Sequence, residues 1–212
     1  AMLGFAQLLE LDEDRPLSDR QRNWTTQIQQ AGWHLLHMIN DTLDLSRVEA
    51  GTLRLEPRVL DVAALVEAVR AMIEPLAQPR GIDVGVQVEP GLAVVGDETR
   101  VKQVLTNLLS NAVKYNVPQG KVRVTALEVG PRDVEITVSD TGPGLTPQQV
   151  GELFQPFNRL GREHGDIEGT GIGLVISRRL AELMGGSLRA RSEVGVGSSF
   201  VLTLPRATTG AA

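Results

Sequence analysis

The sequence contains no cysteine, few aromatic residues and no excess of positive charge. The lack of cysteine excludes disulfide bridges and thiolate metal sites, and it fits a cytoplasmic protein. The net charge of −5 does not match the basic stripe that is typical of a nucleic-acid surface. No apolar run approaches the roughly 20 residues of a membrane span, and no signal peptide is present. We therefore expect a cytoplasmic globular protein that does not bind nucleic acid, with membrane contact, if any, only through upstream parts.

The first fifty residues have the periodicity of helices. The chain begins within a helical pattern that has no preceding cap, which we interpret as a fragment or a processed product. After a polar loop, Ser18 and Gln21 have the spacing of a capping box. A helical pattern without proline then runs to about Ala50, and Gly51 is well placed to end it. A truncated helix, a loop and a long helix predict a helical hairpin.

The long helix carries an apolar seam. Its members, mostly apolar, recur at alternating spacings of four and three: Trp24, Ile28, Ala31, Leu35, Met38, Thr42 and Leu45. A heptad seam of this kind favours left-handed pairing of helices. One hairpin has too little core to stand alone, so we expect two copies to pair as a four-helix bundle. The alternative is a hairpin that packs on the neighbouring domain.

Helices and strands alternate after Gly51. Asp61 and Asp97 are placed to cap two helices, the second of which continues to Tyr115. Apolar residues recur at every second position in several short segments, which predicts half-buried strands. We therefore predict an α+β fold in which helices cover one face of a sheet. The expected boundaries are 1–51 for the hairpin, 52–205 for the α/β sandwich and 206–212 for a disordered tail.

Two glycine clusters, residues 140–144 (DTGPG) and 169–173 (GTGIG), flank a long polar loop. Glycine lets the backbone adopt positive φ and pass close to a ligand. A glycine-rich turn that opens a helix presents unpaired N–H groups, which suit phosphate. Neither cluster forms a Walker motif or the GxGxxG fingerprint of dinucleotide-binding folds. The pattern predicts a nucleotide site of another kind, with the polar loop as a mobile lid.

Polar residues near these clusters supply candidate ligands. Asn107, Asn111 and Lys114 share one face of a helix because they are spaced by four and three. A carboxamide oxygen is an acceptable ligand for Mg²⁺, and a lysine can pair with phosphate. Asp140 ends a strand, where its carboxylate could accept from the exocyclic amine of adenine. Each feature alone also has a simpler interpretation: a solvated helix face for the first three, and an Asx turn for Asp140.

Taken together, the motifs resemble those of the kinase core of sensor histidine kinases. They occur in the family's order, and the resemblance covers nearly the whole chain. Residues 103–115 (QVLTNLLSNAVKY) are similar to the N box, 140–144 to the G1 box, 153–157 (LFQPF) to the F box and 168–174 (EGTGIGL) to the G2 box. Residues 34–51 resemble the second helix of the family's dimerisation hairpin. The resemblance implies a sandwich of the histidine kinase, gyrase and chaperone type.

The resemblance also implies roles for individual residues at a site for ATP and Mg²⁺. Asn111 would ligate Mg²⁺ and act with Lys114 in catalysis, and Asp140 would bind the adenine amine. Either Arg159 or Arg162 would reach the γ-phosphate. The other ATP-binding residues implied are Asn107, Tyr115, Gly142, Gly144, Phe157, Gly169, Thr170, Gly171, Ile172, Gly173 and Leu174.

The implied activity is transfer of the γ-phosphoryl of ATP to a histidine, and from there to an aspartate of a response regulator, by a homodimer. By the family pattern the acceptor histidine falls about two helical turns before Ala1, so no residue here is assigned to it. His34 and His37 are expected on the helix surface, and His164 in the polar loop.

Two other functions are compatible with parts of the pattern. One is a pseudokinase that holds a nucleotide without transferring phosphate. The other is a topoisomerase, chaperone or mismatch-repair ATPase. Those enzymes use a glutamate on the N-box helix, where this chain has Asn107 and Asn111, so the sequence disfavours them.

Overall fold

The computed structural model describes residues 2–11, 16–158, 160 and 170–207, apart from the side chains of His34 and His37. The helices are α1 (Met2–Glu10), α2 (Asp19–Glu49), α3 (Val62–Ala77), α4 (Glu98–Lys114), α5 (Pro147–Glu152) and α6 (Gly173–Leu183), with a 3₁₀ turn at Gln78–Arg80. The strands are β1 (Arg58–Asp61), β2 (Asp83–Val88), β3 (Ala93–Gly96), β4 (Lys121–Val129), β5 (Asp133–Asp140), β6 (Ser187–Glu193) and β7 (Gly197–Pro205). Of the helices described, none is both long enough and apolar enough to cross a membrane.

Helices α1 and α2 pack against each other as the predicted hairpin. The predicted capping box is present, since Ser18 accepts from the Gln21 N–H and the Gln21 side chain accepts from the Ser18 N–H. Gly32 allows close approach, because a Cβ atom there would lie 2.7 Å from the Leu3 side chain. Nearer the loop that joins the two helices, the Thr25 hydroxyl donates to the Glu10 carboxylate at 3.0 Å.

The predicted seam on α2 is open to solvent in this single chain. Trp24, Ile28 and Leu35 are 53%, 43% and 54% exposed. The opposite end of the helix is different: Val48 is 1% exposed and belongs to the core of the following α/β unit. The alternative of a hairpin packed on the neighbouring domain therefore holds for the C-terminal end of α2, which includes the last seam residue, Leu45. The earlier seam residues are exposed in this single chain.

The α/β unit is built on a five-stranded sheet with the order β2-β4-β5-β7-β6. Strands β2 and β4 are parallel and the other neighbours are antiparallel. Every second residue of the central strands is buried, as Val124, Ile136 and Leu202 illustrate. These residues pack against α3, α4 and α6 on one face of the sheet. The predicted α+β sandwich is thus confirmed.

Strand β1 was not predicted. It pairs antiparallel with β3 in a separate two-stranded sheet. Only Leu60 of its four residues is buried, so the segment is too short and too exposed to show the alternation from which strands are inferred. The sequence analysis assigned Asp61 only as a helix cap, and this assignment is confirmed, because its side chain accepts from the Ala64 N–H of α3.

The first two residues of the predicted tail, Arg206 and Ala207, are hydrogen-bonded to the α/β unit. Arg206 N–H donates to the Arg132 carbonyl at 2.7 Å, and Ala207 N–H donates to the Ala93 carbonyl at 2.9 Å. The Arg206 guanidinium also pairs with Glu128. These bonds tie residues 206 and 207 to the β4–β5 turn and to β3. Residues 208–212 lie outside the described part.

Candidate functional site

Helix α4 lines one side of a cavity of about 830 Å³. Its position is set at both ends. At its start, Asp97 accepts from the Arg100 N–H at 3.1 Å. At its end, Arg80 Nη1 donates to the carbonyls of Val113 at 3.2 Å and Lys114 at 2.8 Å. Both contacts satisfy groups that a helix leaves without an internal partner. The polar face of α4 is therefore held in a fixed place beside the cavity.

The two asparagines of α4 form a chain of hydrogen bonds. Asn107 Nδ2 donates to Ser177 Oγ of α6 at 2.9 Å, and Asn111 Nδ2 donates to Asn107 Oδ1 at 3.3 Å. Within the described part of the chain, Asn111 Oδ1 has no hydrogen-bond partner, and Asn111 lines the cavity. A free carboxamide oxygen in such a place is a ligand that Mg²⁺ accepts, so Asn111 fits the metal role expected for it.

The start of α6 lies against this pair. A Cβ atom on Gly173 would lie 2.6 Å from Asn107 Oδ1, so a larger residue there would displace the Asn107 side chain. Among the residues that the structure describes, no side chain caps α6. Its first N–H groups therefore remain available to a phosphate. Ile172, just before it, is 1% exposed and packs in the core.

The two carboxylate oxygens of Asp140, at the end of β5, have different surroundings. Oδ1 accepts from the Gly142 N–H at 2.8 Å and from the Ser198 N–H at 3.3 Å. Oδ2 has no hydrogen-bond partner among the residues that the structure describes. Burial raises the pKa of Asp140 above its ordinary value, and this outweighs the lowering by the two backbone hydrogen bonds. The site therefore keeps a carboxylate oxygen ready for a donor on a ligand.

The first glycine cluster lies where the ends of β5, α4 and β6 meet. A Cβ atom on Gly142 would lie 2.8 Å from the Tyr115 carbonyl oxygen. Gly144 has a φ of +69°, and a Cβ atom there would collide with the Glu193 carbonyl. At position 144, only glycine combines this backbone angle with so close a contact to the Glu193 carbonyl without strain. The cluster thus joins the ends of β5, α4 and β6.

Most of the expected nucleotide-binding residues line this one cavity: Asn107, Asn111, Lys114, Tyr115, Asp140, Gly144, Thr170, Gly171, Gly173 and Leu174. Three others lie elsewhere: Gly142 supports Asp140, Ile172 is in the core and Phe157 is 65% exposed. The Phe157 N–H donates to the Gly171 carbonyl at 3.1 Å, which joins the two ends of the polar loop. Arg159, Arg162, His164 and Gly169 fall outside the described residues.

Sequence reasoning missed several polar residues that line the same cavity, among them Asp41, Asp44 and Ser177. Ser177 is 2% exposed, and its place in the apolar pattern of α6 was a signal that could have revealed it. Asp41 and Asp44 come from α2, and no local pattern connects them with the glycine clusters. Asp44 accepts from Arg100 and Gln103, both at 3.0 Å, and Asp41 accepts from Thr170 at 2.8 Å.

Comparison with known proteins agrees with this architecture. The family model of histidine kinase-, DNA gyrase B- and HSP90-like ATPases matches residues 96–208. The model of the His Kinase A (phospho-acceptor) domain matches residues 1–51.

Two curated relatives are histidine kinases. The histidine protein kinase DivJ of Caulobacter vibrioides is 34% identical over 206 residues, which cover 97% of this chain and 34% of DivJ. The circadian input-output histidine kinase CikA of Synechococcus elongatus is 38% identical over 200 residues, which cover 91% of this chain and 26% of CikA. The chain therefore spans well under half of the length of these relatives.

A solved structure supports the same conclusion. Full-length ShkA, crystallised in complex with AMPPNP, superposes with a TM-score of 0.82 at 33% identity, over 99% of this chain and 43% of ShkA. The resemblance inferred from the four motifs is thus confirmed. The chain belongs to the family of histidine kinase-, DNA gyrase B- and HSP90-like ATPases, and within it to the sensor histidine kinases.

Proposed function

We propose that the cavity binds ATP with its adenine against Asp140. The observation that carries this proposal is that two backbone amides donate to Asp140 Oδ1, whereas Oδ2 has no hydrogen-bond partner among the described residues. A carboxylate oxygen accepts from the exocyclic amine of adenine. Guanine and pyrimidines do not offer an amine in the same place. ShkA, similar over nearly the whole of this chain, was crystallised with the ATP analogue AMPPNP, which supports this assignment.

The opposite end of the site suits the phosphates. Lys114 would contact a phosphate as a point charge, and the uncapped N-terminus of α6 would contribute backbone N–H groups. Asn111 would ligate Mg²⁺, with Asn107 holding its side chain in place. Bound Mg²⁺ would neutralise charge that develops on the phosphates. Phosphoryl transfer depends mainly on positioning and charge stabilisation, which these groups can provide. Gly142, Gly144, Gly171 and Gly173 shape the backbone around the ligand.

The product of this site would be a phosphohistidine. We propose that the γ-phosphoryl passes to a histidine other than His34, His37 and His164, and then to an aspartate of a response regulator. The exposed seam of α2 would pair with a second copy of the hairpin, so that the working form is a homodimer. The domain division at about residue 51 and a cytoplasmic location are parts of the same proposal.

Replacing Asp140 with asparagine should abolish tight ATP binding. The variant keeps an oxygen for the two backbone donors but presents an amide where adenine requires an acceptor. We expect at least about a tenfold loss of affinity by calorimetry, since a hydrogen bond to a charged group contributes about 1.5–3 kcal/mol. Without nucleotide, its melting temperature should rise, because no charge is buried there. Asp133→Asn, at the exposed start of the same strand, is the control. Unchanged affinity for Asp140→Asn would refute the adenine contact.

Binding of ATP should also weaken as the pH falls. The raised pKa of Asp140 keeps its protonated form to higher pH than for an ordinary aspartate. Affinity should therefore be full above that pKa and decline as pH falls through it. Titrations at a series of pH values would show this decline in the wild type only. Asp140→Asn serves as the reference, since titration of the ligand affects both proteins equally. Parallel pH profiles would contradict the assignment.

Phosphoryl transfer can be tested directly with γ-labelled ATP and Mg²⁺. The chain would be extended before Ala1 by the family's acceptor motif, and acid-labile label would be followed with time. We expect labelling that is lost in Asn111→Ala and Asp140→Asn variants. Tight ATP binding without any label would refute the kinase proposal and favour the pseudokinase interpretation.

A charge in the seam should separate the proposed dimer. Leu35→Glu would place a carboxylate in the middle of the apolar surface, where it would lose its hydration on pairing. Light scattering should then give the mass of a monomer instead of a dimer. Val194→Glu, at an equally exposed apolar residue outside the hairpin, should leave the mass of a dimer. A monomeric wild-type protein, or a dimeric Leu35→Glu variant, would contradict pairing through the seam.

A further inference from the structure

Two carboxylates of the hairpin reach the nucleotide cavity. Asp41 and Asp44 are three residues apart on α2 and therefore lie on one side of the helix. Both line the cavity, together with Asn111 and Lys114 of α4. Their hydrogen-bond partners differ, however, which indicates that the two carboxylates have different roles.

Asp44 is a docking residue. Its Oδ2 accepts from Arg100 Nη1 and from Gln103 Nε2, both at 3.0 Å. The side chains of Asp44 and Arg100 are each 20% exposed, so their ion pair is largely shielded from water. Truncating one member of such a pair leaves the other charge buried without a partner. The contact thus holds α2 against the start of α4 in this arrangement.

Asp41 has no cation to neutralise it in the described part of the chain. Its carboxylate accepts from the Thr170 hydroxyl at 2.8 Å and is only partly exposed. The same hydroxyl accepts from the Ile172 N–H at 3.3 Å, next to the uncapped start of α6. The hairpin therefore places the Asp41 carboxylate beside the N–H groups that are proposed to receive phosphate.

We propose that Asp41 is a charge gate, through which docking of the hairpin and binding of a nucleotide polyphosphate oppose each other. The inference rests on the proposed ATP-binding function of this cavity. A carboxylate near a triphosphate repels it, and the repulsion increases with each phosphate. It also engages the hydroxyl of Thr170, a residue expected to contact the nucleotide. By linkage, polyphosphate binding must weaken the docking to the same extent that docking weakens polyphosphate binding.

Two other roles for Asp41 predict the opposite result. If it held the second glycine cluster in a productive shape, its loss would weaken the binding of every nucleotide. If it were a ligand of Mg²⁺, its loss would weaken ATP binding only when the metal is present. The charge gate alone predicts tighter binding after the carboxylate is neutralised, in a manner that depends on the number of phosphates.

The test compares adenosine, ADP and ATP in calorimetric titrations of the wild type and Asp41→Asn, with Mg²⁺ and with EDTA. Asparagine keeps an oxygen for Thr170 and removes only the charge. We expect affinity for ATP to rise about fivefold to twentyfold at low salt, affinity for ADP to rise less, and affinity for adenosine to stay the same. The increase for ATP should shrink at high salt because the charges are screened. Asp19→Asn makes the same charge change in the exposed first turn of α2 and is the control.

A second variant tests the link to docking. Asp44→Ala should release the hairpin and raise ATP affinity in the same direction, and the double variant should gain less than the product of the two effects.

The charge gate would be overturned if Asp41→Asn bound ATP no more tightly than the wild type, or if its affinity for adenosine rose as much as its affinity for ATP. A wild type that binds no nucleotide would instead refute the proposed function, and the inference with it. ATP binding that is lost in Asp140→Asn but unaltered in Asp41→Asn would refute the gate alone.

Discussion

The structure depends on the contrast between the two sides of helix α4. One side is apolar and almost fully inaccessible, as Leu105 and Leu108 show, while the other carries Asn107 and Asn111. Asparagine disfavours a helix interior by roughly 0.5–0.7 kcal/mol per residue. A buried leucine or valine contributes about 1.5–3 kcal/mol, so the apolar side outweighs that cost several times over. The sheet and the flanking helices thus stabilise a helix whose polar side is free to serve a ligand.

The same balance explains why the site tolerates features that do not stabilise the fold. Asp140 carries a raised pKa because its charge is partly buried without a cation beside it among the described residues. Gly144 has a left-handed backbone that no other residue adopts as readily. Both features concentrate at the ends of β5 and α4, where the core ends and the cavity begins. Their cost is a local one, and the large core next to them offsets it.

The sequence predicted those features of the fold that several residues mark together, through periodicity or a motif. The capping box at Ser18, the buried side of α4 and the glycine clusters each combine several residues, and each was found. Strand β1 was missed because a four-residue segment with one buried side chain leaves no pattern. The parallel pairing of β2 with β4 was not foreseen either, since strands that are distant in sequence carry no local record of their partner.

The site divides in the same way. Asn111, Asp140 and Gly173 could be named in advance because motifs place them, and most such residues line one cavity. Ser177 was overlooked although a serine in an apolar helical pattern is a visible exception. Asp41 and Asp44 could not be connected with the site, because their role depends on how α2 docks on α4 and α6. Contacts between two units depend on long-range geometry, which the spacing of residues along one helix does not encode.

Helix α2 therefore has two adjacent surfaces with different partners. The seam residues Leu35 and Met38 belong to the exposed apolar side, whereas Asp41 and Asp44 lie on the flank that meets the nucleotide cavity. Successive residues of a helix are about 100° apart, so the two surfaces cannot turn independently. Any change in how the seam packs must rotate or shift the carboxylates relative to Arg100 and Thr170. In the proposed gate, repacking of the hairpin would therefore alter the charge beside the phosphates directly, through the same helix.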